Sequence, residues 1–192
     1  MLAGSPAAVS MQRPAQHLID DHEVASLGVQ CLGAIAAAVA RGEAFPADDV
    51  ATSLRFLREW VLAVHMHKED SLLAPAVAMR GNDEAAALVG ELMRLHDEIE
   101  ALLQSLVLFW EPLGKLTDEE RRGFVAAVEA LVQRLRRRQV LEEQQLFPAC
   151  ERFVGADDQL SWLSEFGKLE DERGRRSEWA ERIEALASRW LD

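Results

Sequence analysis

Residues Val64–Pro75 read VHMHKEDSLLAP, and residues Arg136–Pro148 read RRRQVLEEQQLFP. Both stretches carry an acidic pair and then a Leu two residues before a Pro. Counting back from each Pro, Glu69 and Glu142 hold the same place, six residues earlier, and ten residues earlier stand His65 and Arg138. On an α-helix, residues four apart lie one turn apart on the same face, so His65 and Glu69 can reach a single centre. Two such segments in one chain imply helices whose polar residues face a shared interior.

The flanking sequence extends both stretches into long helices. Leu54, Leu57, Val61, His65, Glu69, Leu72 and Ala76 form one stripe at three-and-four spacing, which predicts a helix from about Asp48 to Arg80. Phe124, Val128, Leu131, Leu135, Arg138, Glu142, Leu146 and Ala149 form another, from a Thr117/Glu120 capping-box signature to about Phe153. Before them, Leu18, His22, Ala25, Val29, Leu32, Ala36 and Val39 predict a helix over Pro14 to Ala40. Between them, Leu88, Leu92, His96, Ile99, Leu103 and Leu106 predict one from Asp83 to Trp110, with Asn82 or Asp83 as its cap and "EPLGKL" as its end. Pro75 and Pro148 lie deep in their patterns and should kink each helix or end its regular part. Strand signals are nearly absent, and the chain has no Tyr.

Four long amphipathic segments with short connections predict an all-α, up-down-up-down four-helix bundle over 14–154. Two shorter helices follow over 157–191, one near Asp158 to Phe166 and one from about Leu169 to Leu191, the latter with the stripe Trp179, Ile183, Leu186 and Trp190. A chain of 192 residues, 49% apolar and 28% charged, suits one such domain. Its 33 acidic against 21 basic residues give a net charge of −12, which argues against nucleic acid and anionic membranes as partners. Cys31 and Cys150 fall in apolar helical patterns and read as buried small hydrophobes. The first residues read as a loose leader, no window of about 18 uninterrupted apolar residues marks a membrane span, and a reducing, cytoplasmic setting is expected.

The decisive feature is polar residues where Leu or Val would normally stand. His22, His65, Glu69, His96, Arg138 and Glu142 all occupy inward positions, spread over the four helices. Buried polar groups cost free energy unless they satisfy one another or bind something. Imidazoles with carboxylates on facing helices suit iron, manganese or zinc. His67 and His17 lie about 200° and about 140° around their helices from His65 and His22, and are expected to face away.

On these residues the chain resembles the hemerythrin-like (HHE cation-binding) domains. Those bundles carry a His on the first helix, H-x-x-x-E on the second, a His on the third and H-x-x-x-E on the fourth. Here DDHE supplies His22, HMHKEDSLLAP supplies His65 and Glu69, LHDEIE supplies His96, and RQVLEEQQLFP supplies Glu142. The resemblance implies an iron site with Glu69 and Glu142 as bridges, His22 and His65 on one metal and His96 on a second. It further implies a position open to a small ligand such as oxygen, nitric oxide or peroxide. No catalytic residue is assigned.

The departure from the pattern is Arg138, which stands where the fourth helix should offer a His. All five histidines lie at or before position 96, so none replaces it. A guanidinium has no lone pair for a cation but can fork onto Glu142 or Glu69. Alternatively it turns outward and Glu100 turns in, against which stands the ordinary reading of Glu100 as a solvated surface residue. Two functions follow: a site for one or two iron or other divalent ions, or a metal-free bundle held by Arg138–carboxylate pairs with a structural or partner-binding role. A ferritin-like di-metal enzyme would need inward Glu-x-x-His motifs, which these helices lack.

Overall fold

The computed structural model describes residues 13–110 and 116–191. The expected leader and most of the EPLGKL turn lie outside them. Helix α1 spans Pro14–Ala40, with Pro14 in its first turn, and closes on Gly42 in the left-handed region. Helix α2 runs without interruption from Ala47 to Arg80. Helix α3 spans Asp83–Trp110, and the Asn82 side chain accepts from the Ala85 amide at its start. Helix α4 starts at Asp118 behind the predicted capping box, in which Thr117 and Glu120 satisfy each other's amides, and ends at Phe153. Helices α5, Ala156–Arg173, and α6, Arg176–Trp190, complete the fold. Among the described residues there is no strand.

The predicted stripes are the core. All seven stripe residues of α1 are buried, and five of them, Ala25, Val29, Leu32, Ala36 and Val39, form one cluster with Leu54, Leu57, Val61, Val128 and Leu131 and with Ile99, Leu103 and Leu106 of α3. Trp179, Ile183 and Leu186 of α6 close that cluster from outside the bundle. A second cluster at the other end combines Leu18, Leu73, Val77, Leu92, Leu146 and Phe166. The polar site lies between the two. α1 is long and apolar enough by composition to cross a membrane, yet half of its most apolar window is buried inside the molecule. Cys31 and Cys150 are buried and unpaired, as expected.

Both Pro motifs change the helix as predicted, in a specific way. In α2 the wider π form takes over at Leu57–Met66 and again at Glu69–Leu73, and α-geometry resumes at Ala74, beside Pro75. In α4 the π stretch is Glu142–Leu146, and α-geometry resumes at Phe147, beside Pro148. Pro has no amide to donate and its ring collides with the carbonyl four residues back, so a wider turn relieves both problems. The wider turn also moves the buried face on by one residue. The stripe predicts Leu72, Ala76 and Ala149 inside, but Leu73, Val77 and Cys150 take those places, and the first three are only half-buried.

One boundary differs from expectation. The segment predicted to end near Phe166 continues to Arg173, and the break falls at Gly174, whose φ of 122° few other residues adopt.

Candidate metal centre

α1 and α2 bring His22 and His65 edge to face, with ring centroids 4.8 Å apart. Both turn Nε2 towards the same point. His22 Nε2 lies 3.3 Å from Glu142 Oε2 and 3.8 Å from Glu69 Oε1, and His65 Nε2 lies 3.8 Å from the same Glu69 oxygen. One ligand atom from each of these four residues falls within 4.8 Å of all the others. That is close to the span set by metal–ligand bonds of about 2.0–2.2 Å. The four side chains are at most 3% exposed.

Each imidazole is held by a carboxylate at its other nitrogen. Glu143 of α4 takes His22 Nδ1 at 2.8 Å, Asp21 of α1 faces His65 Nδ1 at 3.4 Å, and Asp70 of α2 meets His96 Nδ1 at 2.7 Å. Each carboxylate is the chain neighbour of an expected ligand on a different helix: Asp21 beside His22, Asp70 beside Glu69, Glu143 beside Glu142. Such partners keep the proton on Nδ1 and leave Nε2 free to act as a ligand. The motif reading singled out the ligands and missed these neighbours. The acidic doublets DDHE, KED and LEE are the sequence signal that carries them.

Arg138 points inward. It is 2% exposed, its terminal nitrogens donate to Glu69 Oε2 at 3.2 Å, Asp70 Oδ1 at 2.8 Å and the Leu92 carbonyl at 3.0 Å, and Nε stands 2.5 Å from Glu142 Oε1. This last approach is off the N–H line, so it is an ion contact rather than a directed hydrogen bond. Of the two arrangements open from sequence, the fork onto the glutamates is the one adopted, and Glu100 stays exposed. His96 therefore stands apart from the other four expected ligands. Its side chain is 24% exposed, it is tied to Asp70, and Arg138 bonds the same Asp70. His67 is exposed as expected. His17 is not the surface group expected of it. It is half-buried against Glu170 and Lys68, at 2.9 and 3.0 Å.

The electrostatics follow from these neighbours. Burial and the charge of Glu142 push Glu69 well above the ordinary carboxylate range. Burial pushes Glu142 the same way, but Arg138 and His22 outweigh it and hold Glu142 far below that range. The two carboxyls are thus pushed in opposite directions, Glu69 towards the protonated form and Glu142 towards the carboxylate. Burial depresses His22, and Glu142 with Glu143 more than restores it, for a net rise. His65 falls through burial, and Asp21 only partly compensates.

Whether these residues suit a cation is decided by the atoms left over. His22 Nε2 and Glu69 Oε1 are buried with no hydrogen-bond partner and face each other at 3.8 Å, and Glu142 Oε2 and His65 Nε2 turn to the same point. Buried polar atoms normally find partners, so the two together mark a missing one. The donor set, two imidazole nitrogens and two carboxylates, fits one divalent cation. A second cation does not fit, because the guanidinium already lies among Glu69, Asp70 and Glu142 and offers no lone pair.

Residues 13–150 match the family model described as hemerythrin HHE cation binding domain. The chain belongs to that family. No curated protein and no solved structure matches the chain. The match spans α1 to α4 as far as Cys150 and so includes every residue of the candidate centre. A hemerythrin domain implies a metal cofactor, and the His22/His65/Glu69/Glu142 group is the arrangement within this one that could hold it. A second group of possible ligands, His17, Asp21 and Glu170, encloses the Lys68 ammonium instead.

Proposed function

We propose that this hemerythrin domain binds a single cation, iron in the first place, through His22, His65, Glu69 and Glu142, and uses it to sense or handle a small ligand such as oxygen, nitric oxide or peroxide. The observation that carries the proposal is the convergence of one ligand atom from each of the four buried residues, among them the unpartnered His22 Nε2 and Glu69 Oε1. When bound, the cation supplies a Lewis-acidic, redox-capable position; the chain supplies the rest. Glu143 and Asp21 orient the imidazoles, and Arg138 fixes the glutamates from the far side.

A cavity of about 160 Å³ supports the small-ligand part of the reading. It lies between α1, α2 and α4, with His22, His65 and Glu142 on its wall. Apolar Val29, Val61 and Leu135 line its length, and exposed Gln30 and Arg136 stand at its outer end. A space of that size admits a diatomic molecule or a peroxide.

A second reading has its own observation. Arg138 contacts both buried glutamates, and burial with the charge of Glu142 pushes Glu69 towards its neutral form, so the glutamates have an internal charge partner without a metal. Isothermal titration with Co²⁺ under anaerobic conditions separates the two. The proposal expects His22→Ala and His65→Ala each to abolish binding and His96→Ala to leave it within a factor of two. No binding by the wild-type chain supports the metal-free bundle. Binding that depends on His96 but not on His22 contradicts the site.

A further inference from the structure

The two C-terminal helices lie beyond the segment that matches the hemerythrin domain, yet they reach the support of one of its histidines. Asp21 is fully buried, and both its oxygens are committed. Oδ1 accepts from Arg176 of α6 at 3.1 Å. Oδ2 accepts from Lys68 of α2 at 2.8 Å and faces His65 Nδ1 at 3.4 Å. Lys68 is fully buried as well, and its ammonium also donates to Glu170 of α5 at 2.5 Å. The Arg176 guanidinium additionally donates to the His17 carbonyl at 3.2 Å, which fixes it against α1.

The cluster pairs opposite charges throughout: Lys68 lies between Asp21 and Glu170, and Arg176 between Asp21 and Asp20, the latter at 3.7 Å. Its geometry has a direction. With only Lys68 beside it, the Asp21 carboxylate could rotate about its own axis and turn Oδ2 away from the imidazole. Arg176 on one oxygen and Lys68 on the other fix that rotation, while Glu170 holds the Lys68 ammonium in place from α5. Outer partners of metal-ligating histidines set ring orientation and ligand strength, and losing one typically costs a factor of about 10–100 in metal affinity.

We propose that α5 and α6 are part of the metal centre: Arg176 and Glu170 are positioning residues that hold Asp21 against His65 and so set the affinity of the cation site. The proposal rests on the single-cation reading above and adds to it that a segment outside the bundle controls the site.

Anaerobic Co²⁺ titration of the full-length chain tests it, read by calorimetry and by the visible d–d absorption of bound Co²⁺. Four proteins make a double-mutant cycle: wild type, Asp21→Ala, Arg176→Met and the double variant. Asp21→Ala is expected to weaken Co²⁺ binding by about 10–100-fold. Arg176→Met is expected to weaken it less and to shift the d–d band, and to have no further effect once Asp21 is gone. Arg176→Lys and Glu170→Gln bracket the effect: the first keeps the charge and should recover part of the affinity, and the second should lose part of it. Arg176 is 29% exposed, so its variants should fold even if Asp21→Ala does not. In that case, loss in Arg176→Met with recovery in Arg176→Lys decides for the proposal. Unchanged affinity and spectrum in Arg176→Met, or losses that simply add in the double variant, overturn it while leaving the cation site standing. Absence of Co²⁺ binding in the wild type overturns both.

Discussion

Arg138 places a fixed positive charge among Glu69, Asp70 and Glu142, where a second cation and its His would otherwise belong. Arg138→His removes that charge and offers an imidazole one turn from Glu142. The variant is expected to take up two metal ions per chain where the wild type takes one, measured by elemental analysis after anaerobic reconstitution. Arg138→Leu removes the charge and offers nothing. Truncating one partner of a buried ion pair costs about 3–5 kcal/mol, so the metal-free Leu variant should melt well below wild type at neutral pH. The deficit should shrink towards acid, as Glu142 takes up a proton. The raised titration of Glu69 gives a further test. Its folded value stands above the ordinary one, so its contribution favours the folded apo chain at low pH and is lost as pH rises through the raised value. A cation takes the carboxylate form of Glu69. Binding should therefore strengthen with rising pH and release protons, read from the buffer dependence of the calorimetric enthalpy. The candidate ligands were legible because an imidazole or carboxylate in an apolar stripe breaks a period. Asp21, Asp70 and Glu143 were not, because a chain neighbour sits about 100° round the helix. Each of them acts on a different helix, and no period within one helix records that.

At the scale of elements, the π stretches explain why the helices were predicted well and their lower faces less well. A stripe read at 3.6 residues per turn runs true to Glu69 and Glu142, and the widened turns then advance the inward face to Leu73, Val77 and Cys150. The Pro residues signalled a disturbance, but nothing local distinguishes a kink from a wide turn. The α5 boundary was misplaced for a similar reason. Gly167, just after the predicted end, sits in open space within the helix, whereas the φ at Gly174 sets the break. Close approach of α1 to α2 depends on Gly28, where a Cβ would lie 2.3 Å from the Phe56 ring. Phe56 in turn stacks on Trp60, and Trp60 stacks on His65. Gly28→Ala should cost about 1–3 kcal/mol in urea unfolding, because overpacking strains a filled core. Full stability in that variant would mean that the ring moves aside freely.

For the molecule as a whole, the four-helix bundle and its two C-terminal helices were readable from apolar spacing and turn residues, because the core depends on that spacing over 20 or more residues at a time. What spacing did not show is that α6 completes the core through Trp179, Ile183 and Leu186 and that α5 and α6 reach the polar centre through Glu170 and Arg176. On the proposed reading, the four candidate ligands enclose one cation position, and an internal arginine stands where a second metal would need room. Metal content per chain tests this most directly. The wild-type protein is reconstituted anaerobically with excess Fe²⁺, freed of unbound metal by gel filtration and analysed for iron against protein concentration. The account predicts about one iron per chain, lost in His65→Ala and kept in His96→Ala. Two irons per chain, or none, would contradict it.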